Sequence, residues 1–103
     1  MSKKYKNKTA DTFFALAHSK RICILEVLLK QMPRKASFGE LQRNTGIAAS
    51  TLVHHLREME NGNVIIQNPA GASTEIALNL NHLQKTLADM MESCSKNSMT
   101  TIK

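Results

Sequence analysis

The chain has 103 residues, a net charge of +6, 42 % hydrophobic and 21 % charged residues, a composition that fits one small domain burying only part of its surface. No apolar run approaches the roughly 20 residues that cross a bilayer, and the basic N-terminus lacks the apolar core of a signal peptide, so the expected location is the cytoplasm. Two cysteines, Cys23 and Cys94, are too few for a disulfide scaffold and suit a reducing compartment.

Lys3, Lys4, Lys6 and Lys8 make residues 1–8 a polar, basic arm, expected to be flexible. Such a run either meets nucleic acid or serves only solubility. A first helix is predicted from a cap at Thr9 or Asp11 to about His18. Phe13, Leu16 and Ala17 share one face of it, with Phe14 beside them. Ser19 is placed to cap a second helix over 20–31, where Ile22, Leu25, Leu28 and Leu29 recur at helical spacing. Pro33 stops that helix. Arg34, Lys35 and Ala36 read as a link.

The stretch 37–64 carries the strongest signal. Ser37 with Glu40 three residues on is a capping box, opening a short helix with Phe38 and Leu41 on one face. Asn44-Thr45-Gly46 breaks it, since glycine tolerates the positive φ of a sharp corner. Leu52, Leu56 and Met59 then form one apolar stripe on a second helix, which Asn61-Gly62 ends. Two helices joined by a short glycine turn form a helix-turn-helix, whose second helix lies in the major groove of DNA.

After Gly62 the period changes. Val64-Ile65-Ile66 reads as a strand, Asn68-Pro69-Ala70-Gly71 as a turn, and 74–79 as a half-buried strand with Ile76 and Leu78 inward. This hairpin is a wing. Asn81 with Gln84 then opens a last helix by capping-box logic, striped by Leu83, Leu87, Met90, Met91 and Cys94. Residues 95–103 read as a flexible tail. The fold class is mainly α with a small β-hairpin, a winged helix-turn-helix in the order α-α-α-α-β-β-α. It occupies 9–94, between the arm and the tail.

Ala49, Ser50, Val53, His54 and Arg57 are the outward candidates on the second helix of the motif. Ser50, His54 and Arg57 suit polar contacts to phosphate or base edges, and Ala49 and Val53 suit a thymine methyl. Gln42 and Thr51 suit phosphate. The competing reading is a plain solvated helix face. His55, at the edge of the buried stripe, reads as a structural histidine bonded to the backbone. His82 reads as a surface residue. No nucleophile–base pair, glycine-rich phosphate loop or paired carboxylate marks an enzyme.

Two stretches carry a family resemblance. Leu16-Ala17-His18-Ser19-Lys20-Arg21-Ile22-Cys23-Ile24-Leu25-Glu26-Val27-Leu28 is similar to "L-A-D-x-x-R-L-x-I-L-x-x-L" of the ArsR-like (arsenic-repressor-like) winged helix-turn-helix regulators. Gly46-Ile47-Ala48-Ala49-Ser50-Thr51-Leu52-Val53-His54-His55-Leu56-Arg57 resembles their recognition segment "G-L-S-x-S-T-V-S-R-H-L-K". The resemblance spans about residues 10–92. It implies a homodimeric repressor of double-stranded DNA with an inverted-repeat operator, and no cofactor. It also implies a dimer interface of the first and last helices: Phe13, Phe14, Leu16, Leu83, Leu87, Met90, Met91 and Cys94. These apolar residues exceed what a three-helix core can cover.

The chain departs from the pattern at Ala48 and Val53, where the family carries serines, and in a wing without Lys or Arg. Where relatives hold soft metals by Cys-x-Cys, this chain has Gly39-Glu40-Leu41-Gln42, without a thiolate. At the relatives' zinc site it offers one imidazole, His82, with distant carboxylates, which makes no tetrahedral set. No metal site is expected, and no inducer chemistry is legible. Some relatives are thiol switches pairing a cysteine of the second helix with one of the last. Cys23 and Cys94 lie on those elements, with Cys23 one turn before the relatives' position, here Glu26. Two packed thiols are the other reading. A protein-interaction module that kept the fold and lost DNA is a further alternative, favoured by the neutral wing.

Overall fold

The computed structural model describes residues 8–101, with side chains from Thr9 to Glu92. The basic arm therefore lies outside the described residues but for the backbone of Lys8. The elements are α1 (Lys8–Leu16), α2 (Ser19–Lys30), β1 (Lys35–Ser37), α3 (Phe38–Thr45), α4 (Ala49–Asn61), β2 (Ile65–Ala70), β3 (Ser73–Leu78) and α5 (Leu80–Thr101).

The helix-turn-helix forms as the local rules require. Ser37 Oγ accepts from the Glu40 N–H at 3.1 Å, and Glu40 Oε1 accepts from the Ser37 N–H at 2.9 Å. Gly46 closes α3 at φ +72° and donates its N–H to the Gln42 carbonyl. Leu52, Leu56 and Met59 of α4 are fully buried against Ile24, Leu28, Leu41 and Val64 in a single core. Each such side chain is worth about 1.5–3 kcal/mol on burial, so α4 is not free to roll about its axis.

Elsewhere tertiary contacts overrode local signals. α1 begins at Lys8, so Thr9 and Asp11 lie inside it, and it ends at Leu16, short of His18. Ala15 and Thr12 are its buried residues, while Phe13 and Phe14 are exposed. His18, rather than Ser19, caps α2: its Nδ1 accepts from the Lys20 N–H at 3.1 Å. The buried stripe of α2 is Arg21, Ile24 and Leu28, with Ile22 and Leu29 turned to solvent. That face meets polar groups of α1 and α4, and Arg21 supplies the donors they need.

The link before Ser37 is a strand. β1 pairs antiparallel with β3 (Ala36↔Ile76), giving a three-stranded sheet in the order β1-β3-β2. The expected turn at Asn68-Pro69 is also strand, with Pro69 paired to Thr74. β2 is an edge strand, where the missing proline N–H costs nothing. The loop is Gly71-Ala72, with Gly71 at φ +66°, the sign a type II′ turn needs at its first central residue. Asn81 lies within α5 instead of capping it, and the helical backbone runs past 94, through the stretch read as tail, to Thr101.

Candidate nucleic-acid interface

The helix α4 presents two unlike sides. Leu52, His55, Leu56 and Met59 are buried. Ala49, Ser50, Val53, His54 and Arg57 are exposed, and Thr51 is half-buried. Ala49, Ser50, Val53, His54 and Arg57 thus share the outward side of α4, and Gln42 is a half-buried residue of α3. The N-terminus of α4 is open: Ala48, in extended backbone, makes no side-chain cap. The first N–H groups of α4 thus lack the hydroxyl partner a serine would give them.

Behind this surface sits a polar cluster that spacing alone does not reveal. His55 is 4 % exposed and Arg21 7 %. Arg21 Nε donates to His55 Nδ1 at 3.1 Å. Because arginine carries only donors, Nδ1 is unprotonated and the ring proton rides on Nε2. The other arm of the guanidinium reaches the Phe14 and Ala15 carbonyls at 3.4 and 3.5 Å, in the last turn of α1, where the dipole favours a cation; the Phe14 carbonyl also accepts from the Ala17 N–H. The His18 ring lies 4.4 Å from that of His55, and the His54 ring 5.5 Å from it. Burial first, then the charges of His18, Arg21, His54 and Lys20, lower the His55 pKa. His55 is structural, as expected, but its partner is an arginine side chain and not the backbone.

Two further ties fix the surroundings of α4. The Glu60 carboxylate accepts from the Gln67 N–H at 3.2 Å and from Gln67 Nε2 at 3.1 Å, so the wing is anchored to the end of the helix. Thr12 Oγ1 donates to the Gly62 carbonyl at 2.9 Å and lies 2.9 Å from His82 Nε2. With the one hydroxyl proton spent on Gly62, the imidazole is the donor in the second bond. His82 is thus no idle surface residue; it links α5 through α1 to the C-terminus of α4. The wing carries no cation, and its Glu75 is paired with Lys35 at 3.5 Å.

The terminal helices leave apolar groups uncovered: Phe13, Phe14, Leu87, Met90 and Met91 are exposed, Phe14 by 68 % and Met91 by 70 %. Leu16 and Leu83 pack partly against the core instead. Cys23 is half-buried, and the Cys94 side chain lies outside the described residues. Among the described residues no group of three or more His, Cys, Asp or Glu is placed to hold a metal, and no helix is long and apolar enough to cross a membrane.

Residues 18–66 match the family model described as "Bacterial regulatory protein, arsR family". No curated protein matches the chain in sequence. Among solved structures, an ArsR-like transcriptional regulator from Rhodococcus sp. RHA1 superposes with TM-score 0.80 at 17 % identity, over 90 % of this chain and 85 % of that one. The homodimeric winged helix-turn-helix DNA-binding domain of a possible ArsR-family transcriptional regulator from Mycobacterium bovis gives 0.69 at 15 % identity, over 100 % and 98 %. The transcriptional repressor BigR from Xylella fastidiosa gives 0.64 at 22 % identity, over 80 % and 82 %. At these identities the likeness is one of fold.

Proposed function

From the chain's membership of the arsR family of bacterial regulatory proteins, carried by residues 18–66, we propose that it acts as a homodimeric repressor binding an inverted-repeat operator. One observation carries this reading. The helix α4 is locked by a fully buried stripe while Ala49, Ser50, Val53, His54 and Arg57 stand together in solvent. A rigid rod with a polar outward side is what major-groove docking requires.

Ser50, His54 and Arg57 take the polar contacts, Ala49 and Val53 the methyl contacts, and Thr51 and Gln42 phosphate. The two copies meet through Phe13, Phe14, Leu87, Met90 and Met91. The Mycobacterium bovis domain of like fold is a homodimer, which supports a two-copy assembly. The neutral wing and uncapped Ala48 favour a second reading, an interaction module that has lost DNA. A thiol switch of Cys23 and Cys94 is a third, supported by their placement on α2 and α5.

Selection from a randomised duplex pool tests the first reading. It expects an inverted repeat with half-sites about one helical turn, ~10 bp, apart, and affinity that falls steeply with salt. Arg57→Ala should cost about 1–3 kcal/mol if the guanidinium reads guanine, seen as a rise in Kd of roughly 5- to 150-fold. A pool that yields no enriched sequence, with Arg57→Ala indifferent, overturns this reading in favour of the interaction module. Binding that an oxidant abolishes, and that Cys23→Ser protects, would establish the thiol switch.

A further inference from the structure

We propose that Arg21 and His55 are a positioning pair for the recognition helix, and that their bond makes operator binding sensitive to protons. The proposal rests on the DNA-binding reading above and concerns how that surface is held.

His55 projects from the inner side of α4, one residue after His54 on the outer side. Its Nδ1 is the acceptor for Arg21 Nε at 3.1 Å. The same guanidinium holds the Phe14 and Ala15 carbonyls at the end of α1. One cation thus ties the DNA-facing helix to the helix that carries Phe13 and Phe14. The groups facing His55 are His18 from the α1–α2 corner, Lys20 and Arg21 from α2, and His54 from α4 itself. All are bases. A proton placed on Nδ1 sets N–H against N–H and puts a second charge beside the guanidinium, in a site too buried for water to take over the lost bond. The pair must then part, and α4 loses this polar tie to α1 and α2 while the core contacts and the Thr12–Gly62 bond remain.

The exposed His54 is a proposed DNA contact, and an imidazolium beside a phosphate strengthens binding, a response of opposite sign. The test therefore removes His54 first. Operator affinity is measured at pH 7.5 and 5.5, at fixed ionic strength, for His54→Gln and for His54→Gln/His55→Asn. The Asn amide oxygen can occupy the place of Nδ1 and accept from Arg21 without titrating.

The expected result is a clear loss of operator affinity on acidification of His54→Gln, in the direction set by the lowered His55 pKa, and a nearly flat response of the double variant. An acid loss that persists in the double variant assigns it to another group, such as His18, and overturns the proposal. A flat response of His54→Gln overturns it as well.

Ring nitrogen shifts of His55 in the unaltered protein supply a test that needs no variant. They should show the Nε2–H form at neutral pH and titration below 6.5, the ordinary value. A proton on Nδ1 at neutral pH sinks the proposal whether or not DNA is bound. Absence of sequence-specific binding at pH 7.5 sinks the DNA reading instead.

Discussion

Gly62 shows how one absent methyl group sets a helix junction. A Cβ at this position would lie 2.4 Å from Ala15 Cβ and 2.9 Å from the Asp11 carbonyl oxygen. Its φ is −90°, so the need for glycine is one of space and not of backbone hand. Gly62→Ala forces α1 away from the end of α4 and stretches the Thr12 bond to the Gly62 carbonyl. The expected loss is about 1–3 kcal/mol, as for other overpacked sites, read from urea midpoints. Adding Ala15→Gly should recover part of it, since the backbone contact to Asp11 remains. His55 makes a second prediction at this scale. Its pKa is lowered in the native state, first by burial and then by the neighbouring charges. The unfolded chain therefore takes up a proton near 6.5 that the native chain refuses. Stability is complete above that pH, falls as pH drops below it, and levels off once the native imidazole is protonated too. The urea midpoint should drop more between pH 7.5 and 5.5 in the unaltered protein than in His55→Asn. Equal drops would show that other groups dominate. The structural role of His55 and the stop at Gly62 were legible along the chain, but their partners were not. Arg21 and His55 are 34 residues apart, and Thr12 and His82 are 70 apart; side-chain pairs at such separations leave no periodic trace.

The two helices of the motif are capped by opposite means. α3 has both bonds of a capping box, whereas α4 starts at an alanine with no side-chain bond. The Ala48 backbone is already in the extended region a capping residue adopts. Ala48→Ser should therefore add about 1 kcal/mol, which raises the melting midpoint by roughly 4–8 °C in a domain of this size. If thermal unfolding shows no rise, the open N–H groups of α4 are already satisfied. At this scale the sequence was readable wherever local chemistry and packing agreed. The capping box, Gly46, the stripe of Leu52, Leu56 and Met59, and the stop at Asn61-Gly62 all stand where spacing placed them. It misled where an element depends on its partner. β1 is three residues without a β-branched side chain, and is a strand only because β3 lies beside it. Pro69 looks like a turn but sits on a sheet edge. In α2 the expected stripe of Ile22, Leu25, Leu28 and Leu29 held at Leu28 and in part at Leu25, while the core took Arg21 and Ile24 in place of Ile22 and Leu29.

At the scale of the whole molecule the decisive quantity is how many copies act together. Thr12 and His82 hold α1 and α5 side by side, so Phe13 and Phe14 of one helix and Leu87, Met90 and Met91 of the other can form one continuous apolar surface. A small domain rarely leaves such a group in water without a partner. In the proposed dimer two α4 helices stand about one turn of duplex apart, and a seam of terminal helices would set that distance through the ties to α4 at Gly62 and Arg21. The prediction concerns Phe14→Glu and Leu87→Glu. Phe14 is 68 % exposed and Leu87 48 % in the single chain, so neither change opens a core cavity, and circular dichroism should keep its helical signal. Sedimentation should nonetheless show the unaltered protein as a dimer and both variants as monomers at micromolar concentration. Operator binding should fall to the level of a single half-site, because the second recognition helix no longer arrives with the first. A dimer that survives both charges places the seam elsewhere. A monomeric unaltered protein that still selects an inverted repeat would mean that the two copies assemble only on the DNA, with the groove and not the apolar surface setting their spacing.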